Sequence, residues 1–232
     1  MRLIFMGTPS FAVPTLEACV EAGHEVSAVF TQPDRPKGRG GELAQPPVKQ
    51  AALARGLTVH QPLRVRRPEV VEQIAGIAPR AIVVVGYGQI IPQSIIDIPA
   101  LGILNVHASL LPLYRGAAPI QWAIANGERE TGVTIMRIDA GLDTGDMLLK
   151  ESTIIGPDEQ APELGSRLAA SGARLLLEAL KGLDAGTLSA TPQDHSIATL
   201  APILKKEDGR IDWAAPAQVI YNRLRGFTPW PG

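Results

Sequence analysis

The sequence predicts an α/β fold, doubly wound around a mostly parallel sheet. Three observations carry that expectation. Over roughly residues 1–150 short apolar runs alternate with amphipathic stretches, the rhythm of strand followed by helix. The run "AIVVVGYG" (81–88) is continuously apolar before its glycines, as strands buried on both faces are. A chain of 232 residues, 45% of them hydrophobic, also has material for a substantial core.

Taken in order, "RLIFMG" is a strand closed by Gly7. The following "TPSFAVPTLEACVEAGH" spaces Phe11, Val13, Leu16 and Val20 as a helix does, and ends at Gly23. "EVSAVFTQ" is the second strand, "TVHQP" the third and "AIVVVGYG" the fourth. "GILNVH" and "GVTIMRI" follow as strands, with "DAGLDTGD" (139–146) expected after a parallel neighbour of the first. Between them "APIQWAIANG" reads as a helix from a proline to Gly127. "MLLKESTII" is an added edge strand, and "ELGSRLAASGARLLLEALKGL" a long amphipathic helix covering one face. "TLSATPQDHSIATLAPILKKEDGRIDW" is polar and poorly periodic, as a surface linker would be, and "APAQVIYNRLRG" restarts a helix. The final "FTPWPG" is expected to leave Phe227 and Trp230 exposed, as if a second domain were truncated.

Composition excludes several classes. The formal net charge is -1, so a polyanionic partner must be held by a local patch rather than a global field. Cys19 is the single cysteine and lies within a helical apolar pattern, which predicts a buried small residue. No apolar run reaches the roughly 18 residues of a membrane span, and no secretory leader is evident, so a cytoplasmic protein without a membrane partner is expected. "GTPSFA" offers one glycine where a dinucleotide site needs three, so NAD is not expected. The phosphate-cradling P-loop pattern and the serine elbow G-x-S-x-G are both missing. His24, His60, His107 and His195 are scattered without metal-ligand spacing, so no metal is expected.

The chemistry concentrates in residues 102–146. Asn105 and His107, two apart on a strand, project from the same face near its carboxyl end. A carboxylate from "DAGLDTGD" could fold over the same spot, with Asp139, Asp143 and Asp146 all eligible by spacing. An amide, an imidazole and a carboxylate suit acyl transfer to an amine. The amide and a protonated imidazole stabilise the oxygen on which negative charge builds. A carboxylate within about 4 to 6 Å favours the charged imidazolium and can relay the proton lost by the amine.

"NVHASLLPLYRGAAPIQWAI" with "ETGVTIMRIDAGLDTGDML" resembles the signature of the folate-dependent formyltransferases. The resemblance implies a Rossmann-like catalytic domain and a catalytic set of Asn105, His107 and Asp143. It also implies contacts from Ser109, Leu110, Leu111 and Pro112 to tetrahydrofolate, with Gly86, Tyr87 and Gly88 near its pterin. The implied co-substrate is 10-formyltetrahydrofolate, the donor of a formyl group to an amine.

"FTQPDRPKGRGGELAQPPVK" (30–49) resembles the loop with which one branch of that family closes on the acceptor end of initiator methionyl-tRNA. Arg35, Lys37 and Arg39 are its expected tRNA contacts, with Lys49 a further cation of a mobile lid. Leu113 stands where many relatives carry a basic residue, which leaves Arg115 for any phosphate contact there. "RVRRPE", with Arg64, Arg66 and Arg67, reads equally as an RNA contact or a solvated helix start. "RIDWAAPAQVIYNRLRGFTPWPG" resembles the start of a carboxyl-terminal β-barrel that in this branch helps bind tRNA. The expected organisation is a catalytic domain over 1–189, a linker over 190–208 and the start of an incomplete second domain over 209–232, in a monomer. A formyltransferase for amino-sugar nucleotides or glycinamide ribonucleotide would share residues 102–146 but not need the loop or that ending. A non-catalytic folate-binding module would not need the Asn, His and Asp set.

Overall fold

The structure, a computed structural model, describes residues 1–37 and 42–232. The elements run β1 (Arg2–Gly7), α1 (Val13–Glu21), β2 (Glu25–Phe30), β3 (Arg35–Lys37), β4 (Glu42–Ala44), α2 (Pro47–Ala54), β5 (Val59–His60) and α3 (Pro68–Ile77). They continue with β6 (Ala81–Val85), α4 (Gln93–Ile96), β7 (Ile103–His107), α5 (Pro119–Ala125), β8 (Glu130–Arg137), β9 (Met147–Ile154), α6 (Ala161–Asp184) and α7 (Ala217–Phe227). Helices α1, α2, α3, α5 and α6 carry proline in their first turn, where its missing N–H costs no intrahelical bond. No described helix is long and apolar enough to cross a membrane.

One seven-stranded sheet orders its strands β5-β2-β1-β6-β7-β8-β9. Strands β5 to β7 of that order are mutually parallel, and β8 and β9 are antiparallel. The expected doubly wound, mostly parallel sheet is present, with β9 at its edge. Alternation along the strands divides the core. Leu3, Phe5, Ala81, Val83, Val85, Leu104 and Val106 face a cluster closed by α1, α2 and α6. Ile4, Met6, Ile82, Val84 and Ile103 face the opposite cluster with Ile74 of α3 and Ile95 of α4. Odd positions on β7 therefore share the face of Ile103, and Asn105 and His107 are two of them. Cys19 lies in the first cluster, where burial pushes its thiol up to about 12 and leaves it inert at neutral pH.

The strand before "DAGLDTGD" is not parallel to its neighbour: β8 runs antiparallel to β7, pairing His107 with Thr134 and Leu104 with Arg137. The connection over residues 108–129 is long enough for either direction; it carries α5 but leaves the chain at the end of β7 it departed from. So β8 starts where β7 ended, and β8 and β9 form a hairpin whose loop, residues 138–146, turns back over the sheet.

The stretch read as a surface linker is bonded along much of its length. Thr191 pairs with Met147, Thr199 and Ala201 bond the backbone of Arg115, and the Pro202 carbonyl accepts from the Trp122 indole. Helix α7 then packs on α5. Phe227, expected to be exposed, is buried edge-on to Trp122 at 5.2 Å between ring centres, while Trp230 is exposed.

Candidate functional site

His107 ends β7 and is 5% exposed, so both ring nitrogens need partners. Its Nε2 lies 2.9 Å from the carbonyl oxygen of Tyr114. A carbonyl only accepts, so Nε2 carries a proton and the ring presents Nδ1 to the site. Nδ1 stands 3.7 Å from Oδ2 of Asp143. Asn105, one pleat back on the same face, donates from Nδ2 to Oδ1 of Asp143 at 3.4 Å.

The hairpin loop separates the three aspartates that spacing alone left equal. Asp139 turns back on its own loop, accepting from the Gly141 N–H at 3.0 Å and the Thr144 hydroxyl at 2.7 Å. Asp146 is exposed. Asp143 alone among them meets Asn105 and His107, and it does so with φ of 51°, the left-handed region that costs a non-glycine residue about 1 kcal/mol. Its Oδ2 also accepts the N–H of Gly116 at 2.8 Å. Gly116 has φ of 118° and would drive a side chain into the Ala201 carbonyl, so glycine is required where that N–H is aimed.

A cleft of about 660 Å³ opens at the carboxyl ends of β1, β2 and β6, where the strand order reverses about β1. Thr8, Gln32 and Gly86 to Gly88 line one side, and Arg35, Pro36 and Ala44 to Pro47 the other. The segment expected as a mobile lid contains the β3–β4 hairpin. Arg35 is exposed at its base and Lys37 follows on the same strand, whereas Arg39 lies outside the described residues. Lys49 is not a loop cation. It belongs to α2 and pairs with Asp34 at 2.6 Å. The Asp34 carboxyl, held below its ordinary range first by a hydrogen bond from Gln61 and then by Lys49, anchors the segment's stem.

Several other expected contacts have structural duties. The Ser109 hydroxyl is fully buried and donates to the Leu113 carbonyl at 2.6 Å, closing a turn rather than facing a ligand. Leu111 packs with Met136 and Met147, and Pro112 is buried, leaving Leu110 the partly exposed member of that segment. The ring of Tyr87 packs into the second core cluster rather than standing over the cleft. Burial pushes its phenol up, and its hydroxyl has no hydrogen-bond partner among the described residues. Its carbonyl does reach the cleft's edge, accepting from Thr8 and Gln32. Arg115 is 7% exposed and so is not a surface phosphate contact.

What the sequence did not reveal is Gln193, placed in the expected linker. It is 5% exposed, accepts from Nε and Nη2 of Arg115, and donates to the carbonyls of Asp143 and Gly145. The "Q" of "TPQDH" carries no periodicity or motif to mark it; its partners lie up to 78 residues away.

A doubly wound sheet holding an amide, an imidazole and a carboxylate at one point is the equipment of a group transferase. The Formyl transferase family model matches residues 1–180, and the Formyl transferase C-terminal domain model matches 203–232. Methionyl-tRNA formyltransferase of Solibacter usitatus is 70% identical over all 232 residues, which cover 75% of that protein. That of Koribacter versatilis is 63% identical, again across the whole chain and 75% of the relative. The chain belongs to the methionyl-tRNA formyltransferase family. In fold it is also similar to the N-formyltransferase of Helicobacter canadensis, solved with folinic acid and dTDP-3-aminofucose: TM-score 0.74, 20% identity, 97% of this chain and 80% of that one. HypX of Aquifex aeolicus, solved with tetrahydrofolic acid, has a TM-score of 0.69 at 20% identity, covering all of this chain and 35% of that one.

Proposed function

We propose that this enzyme moves a formyl group from 10-formyltetrahydrofolate to the α-amino group of methionine esterified to initiator tRNA, with Asn105, His107 and Asp143 acting as one unit. The observation that carries the reading is the meeting of Asn105 and the Nδ1 side of His107 on a single carboxylate. Tyr114 occupies Nε2, so Nδ1 is the ring position left to face a ligand oxygen, and Asp143 stands beside it. Asn105 Nδ2 offers a second donor beside it. Their 3.4 and 3.7 Å separations from Asp143 are looser than strong hydrogen bonds, leaving both donors available to shift toward a developing oxyanion.

Bound folate supplies the formyl carbon. The cleft volume lies within the few hundred to about 1,000 Å³ usual for such ligands, and Gly86 and Gly88 offer backbone rather than side chain to a flat ring. In this reading folate lies along Gly86 to Gly88 and Leu110. Arg35, Lys37 and Arg39 are the cations for the phosphates of the tRNA acceptor end. The amine nitrogen bonds to the formyl carbon while negative charge builds on the formyl oxygen beside Asn105 and His107; the bond from that carbon to the folate nitrogen then breaks as Asp143 relays to that nitrogen the proton the amine loses. Residues 1–189 carry this chemistry, and 209–232 belong to a second unit with 190–208 between them.

Incubating the protein with 10-formyltetrahydrofolate and charged initiator methionyl-tRNA should yield N-formylmethionyl-tRNA. Phosphate contact by three cations predicts a fall in kcat/KM for tRNA of about 10-fold or more between 50 and 200 mM salt. Formylation of an amino-sugar nucleotide with no product on tRNA would overturn the assignment of acceptor.

A further inference from the structure

We infer that Gln193 is a positioning residue for the formyl transfer, holding Asp143 against Asn105 and His107 from a segment that lies between the two family-matched regions. The inference rests on the reading of Asp143 as the carboxylate of the site. The hydrogen bonds form a closed circuit. The Asp143 carboxylate accepts from Gly116 N–H at 2.8 Å, and Gly116 is bonded through the chain to Arg115. The Arg115 guanidinium donates to Oε1 of Gln193 through Nε at 3.1 Å and Nη2 at 2.6 Å. Gln193 Nε2 then donates to the Asp143 carbonyl at 2.9 Å and the Gly145 carbonyl at 2.7 Å. Asp143 is thereby gripped by its side chain and its main chain through one rigid path.

The amide is fully used: two N–H groups on two carbonyls, and one oxygen taking two guanidinium donors. No other uncharged side chain of that length offers both a donor pair and an acceptor. The two carbonyls it grips are that of Asp143, whose own backbone is left-handed, and that of Gly145 two residues on; such a conformation persists only where the surroundings impose it. Arg115 is itself fixed by Thr199 and Ala201, which bond its backbone N–H and carbonyl at 2.9 and 2.7 Å. His195 accepts a further Arg115 bond through Nδ1 at 3.0 Å. Residues 191–201 therefore act as a strap across both site loops, 109–118 and 138–146.

Gln193→Glu isolates the effect in the full chain. A glutamate keeps an acceptor, now charged, for Arg115, but presents oxygens instead of N–H groups to the carbonyls of 143 and 145. The expected result is a loss of kcat on the order of 10- to 100-fold, as for a catalytic group displaced by about 1 Å, with KM for 10-formyltetrahydrofolate within about twofold of wild type. Gln193→Ala should behave alike. In an Asp143→Asn background Gln193→Glu should cost at most about twofold more, because a positioning residue has nothing left to position. Turnover within twofold of wild type in Gln193→Glu, an equal loss in both backgrounds, or a loss matched in both Gln193 variants by the fraction of unfolded protein in thermal melts would overturn the inference. Undiminished turnover in Asp143→Asn would instead remove the underlying reading of Asp143.

Discussion

Replacing His107 by alanine lowers kcat by about 10²- to 10³-fold and leaves KM for 10-formyltetrahydrofolate within about threefold, because the imidazole's donor is used as charge develops rather than when the substrate binds. The ring is 5% exposed at the end of β7, with Nε2 tied to the Tyr114 carbonyl and Nδ1 toward Asp143. Its loss leaves the Tyr114 carbonyl without that donor and removes the ring that stands beside the Asp143 carboxylate. Some loss of thermal stability should accompany it, since a buried acceptor left unpaired costs about 1 to 3 kcal/mol. Steady-state kinetics with the folate varied at saturating tRNA separate the two parameters. A variant whose KM rises while kcat holds would make His107 a binding group only.

Gly145→Ala should abolish most turnover without touching any catalytic side chain. A Cβ at 145 would overlap the backbone carbonyl oxygen of Arg137, on the strand that anchors the loop. That oxygen cannot rotate away, since it belongs to the β8–β9 hairpin, so residues 143–146 must move instead. Asp143 lies two residues upstream, and the Gly145 carbonyl is one of the two that Gln193 holds. A displacement of about 1 Å at Asp143 predicts about a 10²-fold loss in kcat, and the strain about 1 to 3 kcal/mol in stability. Gly141→Ala is the control. There the obstacles are the Thr144 hydroxyl, which a rotamer change moves at the cost of its bond to Asp139, and Thr144 Cβ at 3.0 Å, which a shift of a few tenths of an ångström relieves, so kcat should stay within about fivefold of wild type. Equal losses at both positions would show that the loop tolerates no change anywhere, and that Gly145 has no special relation to Asp143.

The fold was legible where local pattern decides it. The run Ala81 to Val85 read as a strand buried on both faces because its alternate residues do feed two core clusters. Asn105 and His107 were legible as partners because a strand's period of two makes i and i+2 share a face whatever the tertiary context. The direction of β8 was not, since periodicity marks a strand without saying which way it runs beside its neighbour. Nor was the choice among Asp139, Asp143 and Asp146, which rests on a hairpin folding back over the sheet. That the ring of Tyr87 turns into the core while its carbonyl meets the cleft was likewise beyond local pattern, since it depends on packing against the second face of the sheet. Gln193 was hidden in a polar, aperiodic stretch because every contact that gives it meaning is long-range.

The claim that Asn105, His107 and Asp143 are one unit is tested most directly by kcat of the combined variant His107→Ala/Asp143→Asn beside each single variant. Residues that act as one unit lose most of their joint effect when either is removed, so the double variant should fall within about threefold of the slower single one. Losses that multiply, the double variant slower by the full product of the two, would mean that the two residues act independently and would contradict the account.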